Sequence, residues 1–163
     1  MTIGGALASG GVATLTPARN AVITVTHATA VVAMSGTITG KDIYGRVVTE
    51  AWSVTVGGTS KTFTGAVAFS KITGITEVIV ADASANTIIA GDGKVLGLPF
   101  KAASPTILSE LEDGAAPTAG VVVKASTAAN ADFLGTYRPN STLNGALDFE
   151  VWYLSDDPVT VQP

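Results

Sequence analysis

The chain has 163 residues and a net charge of −4, which suits one domain with a core of its own. The excess of acidic over basic residues argues against non-specific binding to nucleic acids or anionic membranes, because such binding needs clustered Lys and Arg. The chain has no cysteine, which excludes disulfides and thiolate metal sites.

The N-terminal residues 1–11 are rich in Gly, Ala and Ser and show no hydrophobic period. We expect a flexible arm there, followed by a single β-sandwich domain over residues 12–163. No charged side chain precedes Arg19, so the basic region of a signal peptide is missing and we expect no export by the general secretory route. Residues 20–40 also lack charged side chains, but their many Thr residues and their period of two argue against a membrane span.

From residue 12 onward, apolar residues alternate with polar ones, which is typical of half-buried strands. The side chains predicted to share a face, run by run, are Ile23 and Val25; Val32, Met34 and Ile38; Val48, Trp52, Val54 and Val56; Phe63, Val67 and Phe69; and Leu147, Phe149, Val151 and Tyr153. Gly-rich breaks between these short runs predict an all-β domain, with an antiparallel sandwich or barrel-like architecture.

Turns are predicted at dipeptides of Gly, Asn and Asp, because these residues tolerate positive φ. The dipeptides are Gly57-Gly58, Asp92-Gly93, Asp113-Gly114 and Asn144-Gly145. We interpret GDGKVLG (residues 91–97) as a turn followed by a strand, since Leu98-Pro99 prevents the helix that a dinucleotide loop needs. We interpret GGTSKT (residues 57–62) as a hairpin turn, because it lacks the spacing of a phosphate loop.

One short helix is predicted over residues 104–113. Ser104 is suited to cap it, Pro105 suits its first position, and apolar residues fall on one face before a glycine ends it. Residues 114–119 and 126–146 are expected to be loops with little regular structure.

The densest group of ionisable residues lies in GKDIYGRVVTEAW, residues 40–52. Two alternating runs flank KDIYG, so we predict a hairpin turn in which Asp42 accepts backbone N–H groups and Gly45 adopts positive φ. The basic residues beside the turn are expected to pair with Asp42 or Glu50. The residues assigned to structural turns are Asp42, Tyr44, Gly45, Asp92, Gly93, Asn144 and Gly145. This structural interpretation is favoured over catalysis.

No catalytic, cofactor-binding or metal-binding site is predicted. His27 is the only histidine, which leaves a His-based site short of partners unless carboxylates supply them, so we interpret it as a strand residue. The carboxylates considered for two-carboxylate hydrolysis are Asp42/Glu50, Glu110/Glu112/Asp113, Asp148/Glu150 and Asp156/Asp157. Asp148 and Glu150 alternate on one face with Trp152, and a solvated strand face is the favoured interpretation.

Three segments together resemble a known family. They are T-G-x-D-x-Y-G-x-x-x-T-E at residues 39–50, G-x-x-A-F-x-K-I-T-x-I at residues 65–75 and G-D-G-x-V-L-G-L-P at residues 91–99. This order resembles small structural proteins that coat the capsids of tailed bacteriophages as decoration or cement proteins. The ending GTYRPNSTLNGALDFEVWYL, residues 135–154, is also similar.

The resemblance implies a non-enzymatic virion protein on the capsid surface, assembled in the host cytoplasm. Its partners would be the major capsid protein and further copies of the same chain, with a trimer favoured; no cofactor, nucleic acid or membrane is implied. A charge content of 13%, against about 25% in ordinary soluble domains, fits a surface that is hidden in an assembly. The candidate capsid-docking arm consists of Met1, Thr2, Ile3, Gly4, Gly5, Ala6 and Leu7.

Other functions stay open at this stage. A phage tail or fibre module would share the same turn and core residues. A carbohydrate-binding β-sandwich would show Trp52 or Trp152 exposed on a flat face. A small hydrolase would place Asp42/Glu50 or Asp148/Glu150 in a cleft.

Overall fold

The structure is a computed structural model that describes residues 8–26, 32–80, 87–128 and 131–156. These residues form strands and contain no helix. The strands are β1 (Ala8–Ser9), β2 (Val12–Thr26), β3 (Val32–Lys41), β4 (Val47–Val56), β5 (Lys61–Ile75), β6 (Val78–Val80), β7 (Thr87–Gly97), β8 (Ala102–Glu112), β9 (Val121–Lys124), β10 (Gly135–Arg138) and β11 (Phe149–Ser155). The prediction of an all-β antiparallel fold is confirmed.

Nine strands form one sheet, in the order β4-β3-β5-β2-β7-β10-β9, with β1 paired to β2 and β6 paired to β3. The two longest strands, β2 and β5, pair with register shifts between Thr14 and Arg19 and between Asn20 and Val22. Such bulges bend a strand and increase its twist. The sheet therefore curls into a half-barrel, and β4 contacts β5 although no hydrogen-bonded ladder joins them.

The main core fills the concave side of this sheet. It contains the predicted inner faces of β2, β3, β4 and β5, and its buried members include Ile23, Val25, Met34, Ile38, Val48, Trp52, Val56 and Phe69. The alternation that the sequence showed therefore predicted these faces correctly. Each fully buried side chain of this size contributes about 1.5–3 kcal/mol, which makes this cluster the principal stabilising unit of the fold.

A second, smaller core lies under a two-stranded sheet made of β8 and β11. Leu98, Val122 and Tyr137 are buried there, and Phe149 and Tyr153 of β11 pack against them. The ring of Tyr137 meets the ring of Phe149 edge-on, with centroids 6.3 Å apart. We call β8 and β11 the ribbon; its inner face covers this core and its outer face points to solvent.

The predicted helix over residues 104–113 is wrong, because this segment belongs to strand β8. Its backbone pairs with β11 from Glu112 opposite Phe149 to Ala102 opposite Ser155, with two register shifts. A ten-residue helix is marginal in water unless one apolar face is buried. Here, burial of alternate residues on a strand is the arrangement that covers the second core, so tertiary packing overrides the local capping signals.

The predicted turn at Asp92-Gly93 is also wrong, since both residues lie inside β7. The side chain of Asn20 occupies the space beside Gly93, and a Cβ atom there would lie 2.4 Å from Asn20 Oδ1. This glycine allows a close approach between β2 and β7 and does not reverse the chain. No helix follows GDGKVLG, so the arrangement needed for a dinucleotide loop is not present in this part of the chain.

The other predicted turns differ in outcome. Gly58 has a φ of +66° and lies between β4 and β5, but these strands are not paired, so the connection is a turn and not a hairpin. Asp113 and Gly114 have φ values of 51° and 79°, which confirms a turn there. The loop predicted over residues 126–146 contains the short strand β10.

The predicted N-terminal arm, residues 1–11, includes a short paired strand. Ala8 and Ser9 form β1 and pair with Ala13 and Val12 of β2 across Gly10-Gly11. The candidate docking residues 1–7 lie outside the described residues.

Candidate functional site

The stretch of ionisable residues between β3 and β4 is a hairpin turn, as predicted. Gly45 has a φ of 79°, and its N–H donates to the carbonyl oxygen of Asp42 at 3.1 Å. Asp42 Oδ1 accepts the N–H groups of Tyr44 (2.9 Å) and Arg46 (3.0 Å). The carboxylate is 6% exposed and replaces backbone partners that the turn would otherwise lack.

Arg46 completes this turn by binding three groups. Its Nε lies 2.7 Å from Asp42 Oδ2, which confirms the expected pairing with Asp42. Its guanidinium also lies over the rings of Tyr44 and Phe133, at 5.6 and 5.0 Å from their centroids. Cations are attracted to aromatic faces at these distances. Arg46 therefore ties the β3–β4 turn to the loop before β10, a contact that no local pattern in the sequence indicates.

Tyr44 and Ser70 fix the same turn to other strands. The hydroxyl of Tyr44 donates to the carbonyl oxygen of Pro99 at 2.6 Å. Ser70 Oγ donates to the carbonyl oxygen of Asp42 at 2.6 Å. The carboxylate of Asp42, the hydroxyl of Tyr44 and the Nε of Arg46 are thus each used in an internal bond, as the structural interpretation of this turn expects.

Glu50 lies on the inner side of β4 and binds the bulge in β5. Its Oε1 accepts the N–H groups of Ala66 (2.6 Å) and Val67 (3.2 Å), while its Oε2 is buried with no hydrogen-bond partner. Burial raises the pKa of Glu50, the two backbone bonds oppose this, and the charge of Asp132 raises it further. Of the two alternative partners expected for Arg46, Asp42 is therefore the one it pairs with, while Glu50 binds backbone amides.

Replacing Glu50 with Gln is expected to change how stability depends on pH. Because the folded-state pKa is raised, the folded protein binds a proton more readily than the unfolded chain. The resulting stabilisation is complete below the unfolded pKa and is lost as the pH rises through the folded pKa. The Gln side chain keeps the acceptor for Ala66 and Val67 but stays neutral, so the melting temperature of Glu50→Gln relative to wild type should rise between pH 4.5 and pH 7.5. An equal difference at both pH values would contradict this account of Glu50.

Asp132 lies near this group, although the sequence offered no signal for it. Burial raises its pKa, bonds from the N–H groups of Leu134 and Gly135 lower it, Asp42 raises it and Arg46 lowers it. Its Oδ1 accepts those two N–H groups at 3.0 and 2.9 Å. Asp42, Glu50 and Asp132 thus each bind backbone amides of a different segment and hold the segments in place.

The acidic residues of the ribbon are engaged in a similar way. The hydroxyl of Tyr137 donates to Glu110, whose other oxygen accepts the N–H of Gly120 at 2.8 Å. Burial, this bond and the charges of Glu110 and Glu112 raise the pKa of Tyr137. Glu112 accepts the hydroxyl of Ser141 at 2.6 Å. Across the ribbon, Asp113 Oδ1 accepts the N–H of Asp148 at 2.9 Å.

The turn at Asn144-Gly145 is confirmed. Asn144 Oδ1 accepts the N–H groups of Ala146 (2.9 Å) and Leu147 (3.1 Å), and Gly145 has a φ of 80°. This turn borders a cavity of about 160 Å³ together with Leu96 and Phe149. Ligand sites for small molecules usually have about 300–1,000 Å³, so this cavity is small for such a ligand.

The outer face of the ribbon shows large apolar side chains to solvent. Trp152 is 61% exposed, Leu108 58% and Leu154 47%. We call these three residues the apolar face. The indole N–H of Trp152 donates to Glu150 Oε1 at 2.6 Å, which restrains the ring. Trp52, the other tryptophan considered for surface binding, is 2% exposed and donates instead to the carbonyl oxygen of Thr76 at 3.1 Å.

Two residues considered in the sequence analysis, and the questions of a metal site and a membrane span, stand apart from the contacts above. His27 and Asp157 lie outside the described residues. Within the described ranges, no group of three or more His, Cys, Asp or Glu side chains gathers where it could hold a metal ion. The same part of the chain contains no helix of the length and apolar content that a membrane crossing requires.

Comparison with known proteins gives no neighbour: no family model, no curated protein and no solved structure matches this chain.

Proposed function

We propose that this protein is a non-enzymatic structural protein of a virion, which binds the outside of a phage capsid and stabilises it as a decoration protein. The observation that carries the proposal is the apolar face of the ribbon, on which three large apolar side chains, Trp152, Leu108 and Leu154, are each exposed. The resemblance of three sequence segments to phage decoration proteins supplies the identity of the partner, the major capsid protein. A phage tail or fibre module is the nearest alternative role.

The apolar face has the composition of a protein contact. Tryptophan is enriched among the residues that dominate binding energy, because it removes a large apolar area from water on contact. The register partner of Trp152 is Ser109, a small residue, so the indole stands above its surroundings on β8. A surface that is poor in charge does not repel a neighbouring subunit of like charge.

Such a role is mechanical. Each copy would span neighbouring coat subunits and bury a modest area, and many copies together would resist the pressure of packaged DNA. A cyclic trimer would match the threefold positions of a capsid and repeat one contact three times. Residues 1–7 are the proposed docking arm in this arrangement.

A second candidate function rests on Trp152. An indole that is 61% exposed and restrained by Glu150 presents a flat apolar platform, which is the feature expected of a carbohydrate-binding β-sandwich. The two functions share a surface and differ in partner, so the same variant tests both.

Trp152→Ala is expected to lower the affinity for undecorated capsids about thirtyfold, the effect of losing about 2 kcal/mol at a binding hot spot. Co-sedimentation with the capsids measures this affinity. Ile89→Ala is the matched control, because Ile89 is 60% exposed but lies on β7, away from the ribbon. Equal binding by both variants and the wild type would contradict a docking role for the apolar face.

Two further measurements on the wild type, co-sedimentation with tails and binding to a glycan, identify the partner. Wild type that sediments with tails and not with capsids would replace the decoration proposal by the tail alternative. If the wild type binds neither capsids nor tails, but binds a glycan that Trp152→Ala does not bind, the carbohydrate alternative is favoured.

A further inference from the structure

The cavity beside the Asn144-Gly145 turn lies where three segments of the chain meet. Pro17 and Arg19 of β2, Leu96 of β7 and the segment that leads into β11 line it, and its volume is about 160 Å³. An apolar cavity of about 150 Å³ holds one benzene ring. This space is therefore large enough for a single ring, although it is smaller than the usual site for a drug-sized molecule.

A bulge positions the charged wall of this cavity. Arg19 lies opposite Leu96 in the pairing of β2 with β7, and the register shifts between Arg19 and Ala21. Bulges re-aim side chains and are common next to functional sites. Arg19 Nη1 donates to Asp92 Oδ2 at 2.8 Å, and the guanidinium makes no other hydrogen bond with the residues that the structure describes. Arginine carries five N–H donors, so most of them are left for a ligand.

The second polar wall is the amide of Asn144, whose orientation is fixed by the turn. Its Oδ1 accepts the N–H groups of Ala146 (2.9 Å) and Leu147 (3.1 Å). With Oδ1 used in this way, Nδ2 is the part of the amide that is left for a ligand, and an amide NH₂ group only donates.

The other side chains of the wall are apolar: Pro17, Leu96, Leu143, Leu147 and Phe149. Among the described residues, no carboxylate or hydroxyl side chain lines the cavity. The cavity thus combines an apolar wall with two groups that donate hydrogen bonds. A ligand that fits it has an apolar body and a polar group that accepts.

We propose that this cavity binds a small carboxylic acid whose apolar part is about the size of one ring. The apolar part packs against Leu96, Leu147 and Phe149, and the carboxylate accepts hydrogen bonds from Arg19 and from Asn144 Nδ2. An ionised carboxylate only accepts, and its bonds to arginine are about twice as strong as bonds between neutral groups. Asp92 occupies Nη1 of the same guanidinium, so the two carboxylates use different donors.

This inference does not rest on the proposed function, because the cavity and the apolar face are separate surfaces. Phe149 packs on the second core from the inner side of the ribbon, whereas Trp152 is exposed on its outer side. Binding of a carboxylate in the cavity and binding of a capsid at Trp152 are measured separately, so either can fail alone.

The probe is benzoate, compared with benzyl alcohol and benzylamine, which carry a neutral and a cationic group on the same ring. Amide resonances of Gly145, Leu147 and Phe149 report binding in ¹H–¹⁵N spectra. Benzoate should shift them in a saturable way in the low-millimolar range, as expected of a ligand this small. Its dissociation constant should be about tenfold below that of benzyl alcohol, the effect of one hydrogen bond to a charged group. Benzylamine should not bind.

Two results with the wild type would overturn the proposal. If benzoate causes no saturable shift of these resonances, the cavity is not a binding site for a ring of this size. If benzyl alcohol or benzylamine binds as tightly as benzoate, the ligand class is not a carboxylate.

Asn144→Asp tests the donor wall, with Asn140→Asp as its matched control. An aspartate keeps an oxygen for the N–H groups of Ala146 and Leu147, so the turn is retained, but a negative oxygen replaces the donor. Asn140 is exposed and does not line the cavity, so its substitution changes the net charge alone.

The affinity for benzoate should fall at least about tenfold in Asn144→Asp and stay near the wild-type value in Asn140→Asp. Circular dichroism and the melting temperature check that both variants are folded. An equal loss in both variants would show that net charge, and not the cavity, controls the binding. Wild-type affinity in folded Asn144→Asp would show that the amide donor has no part in it.

Discussion

Gly36→Ala is expected to lower the free energy of unfolding by about 3 kcal/mol, because forcing atoms into a packed core costs about 1–3 kcal/mol and more where backbone is in the way. A Cβ atom at residue 36 would lie 2.0 Å from the carbonyl oxygen of Thr76 and 2.7 Å from Trp52 Nε1. These two atoms form a hydrogen bond of 3.1 Å, so the substitution disturbs both the bond and the packing of a buried indole.

The backbone around Thr76 has little freedom to move away. Its N–H donates to the carbonyl oxygen of Thr37 at 2.9 Å, and its hydroxyl oxygen accepts the N–H of Thr37 at the same distance. The matched control is Gly74→Ala on β5, where a Cβ atom meets nothing within 4 Å. Urea unfolding of the two variants measures the difference. Similar midpoints for both variants would show that the backbone at Thr76, between β5 and β6, yields at low cost.

Asn20→Ala is expected to cost about 2–4 kcal/mol, because it leaves two buried backbone groups without partners and removes packed atoms. Asn20 is fully buried at 0% exposure. Its Nδ2 donates to the carbonyl oxygen of Gly65 at 2.7 Å, and its Oδ1 accepts the N–H of Val95 at 3.0 Å. One side chain on β2 thus binds both neighbouring strands, β5 and β7, next to the bulge that bends the sheet.

The control for Asn20→Ala is Thr24→Ala on the same strand. The hydroxyl of Thr24 lies 3.2 Å from that of Thr62 on the exposed side, so its loss is expected to cost less than about 1 kcal/mol. Urea unfolding at constant pH compares the two. If Asn20→Ala costs no more than Thr24→Ala, Gly65 and Val95 find other partners and Asn20 does not hold the bulge.

Local patterns determined a large part of this fold. The alternation of Ile23 and Val25 with threonines, and of Met34 and Ile38 on β3, predicted which side chains are buried. The turn at Asp42 and Gly45 was also predictable, because its chemistry lies within five consecutive residues. In each case the physical cause, burial of one strand face or a backbone turn with positive φ, acts over a few neighbouring residues.

Contacts between distant segments decided the rest. Ser104 and Pro105 gave the local signals of a helix start, yet pairing with β11 makes the segment a strand. Gly93 follows Asp92 like a turn residue, yet it serves to admit Asn20, which is far from it in sequence. Propensity is a weak preference that sheet pairing overrides, and the partner of a strand cannot be read from the strand itself.

The same division applies to the candidate sites. The sequence, with one histidine and no cysteine, limited the chemistry that the chain supports. It placed Trp52 on a strand face with three valines and Trp152 on a face with Asp148 and Glu150, and it left open which tryptophan a carbohydrate-binding sandwich would expose. The tertiary structure decided this. Trp52 lies on β4 and faces the concave side of the curled sheet, whereas Trp152 lies on β11, whose outer face is uncovered by the described residues. The alternation of a strand defines two faces, but which face is covered depends on what packs against it, and that is settled by the whole fold.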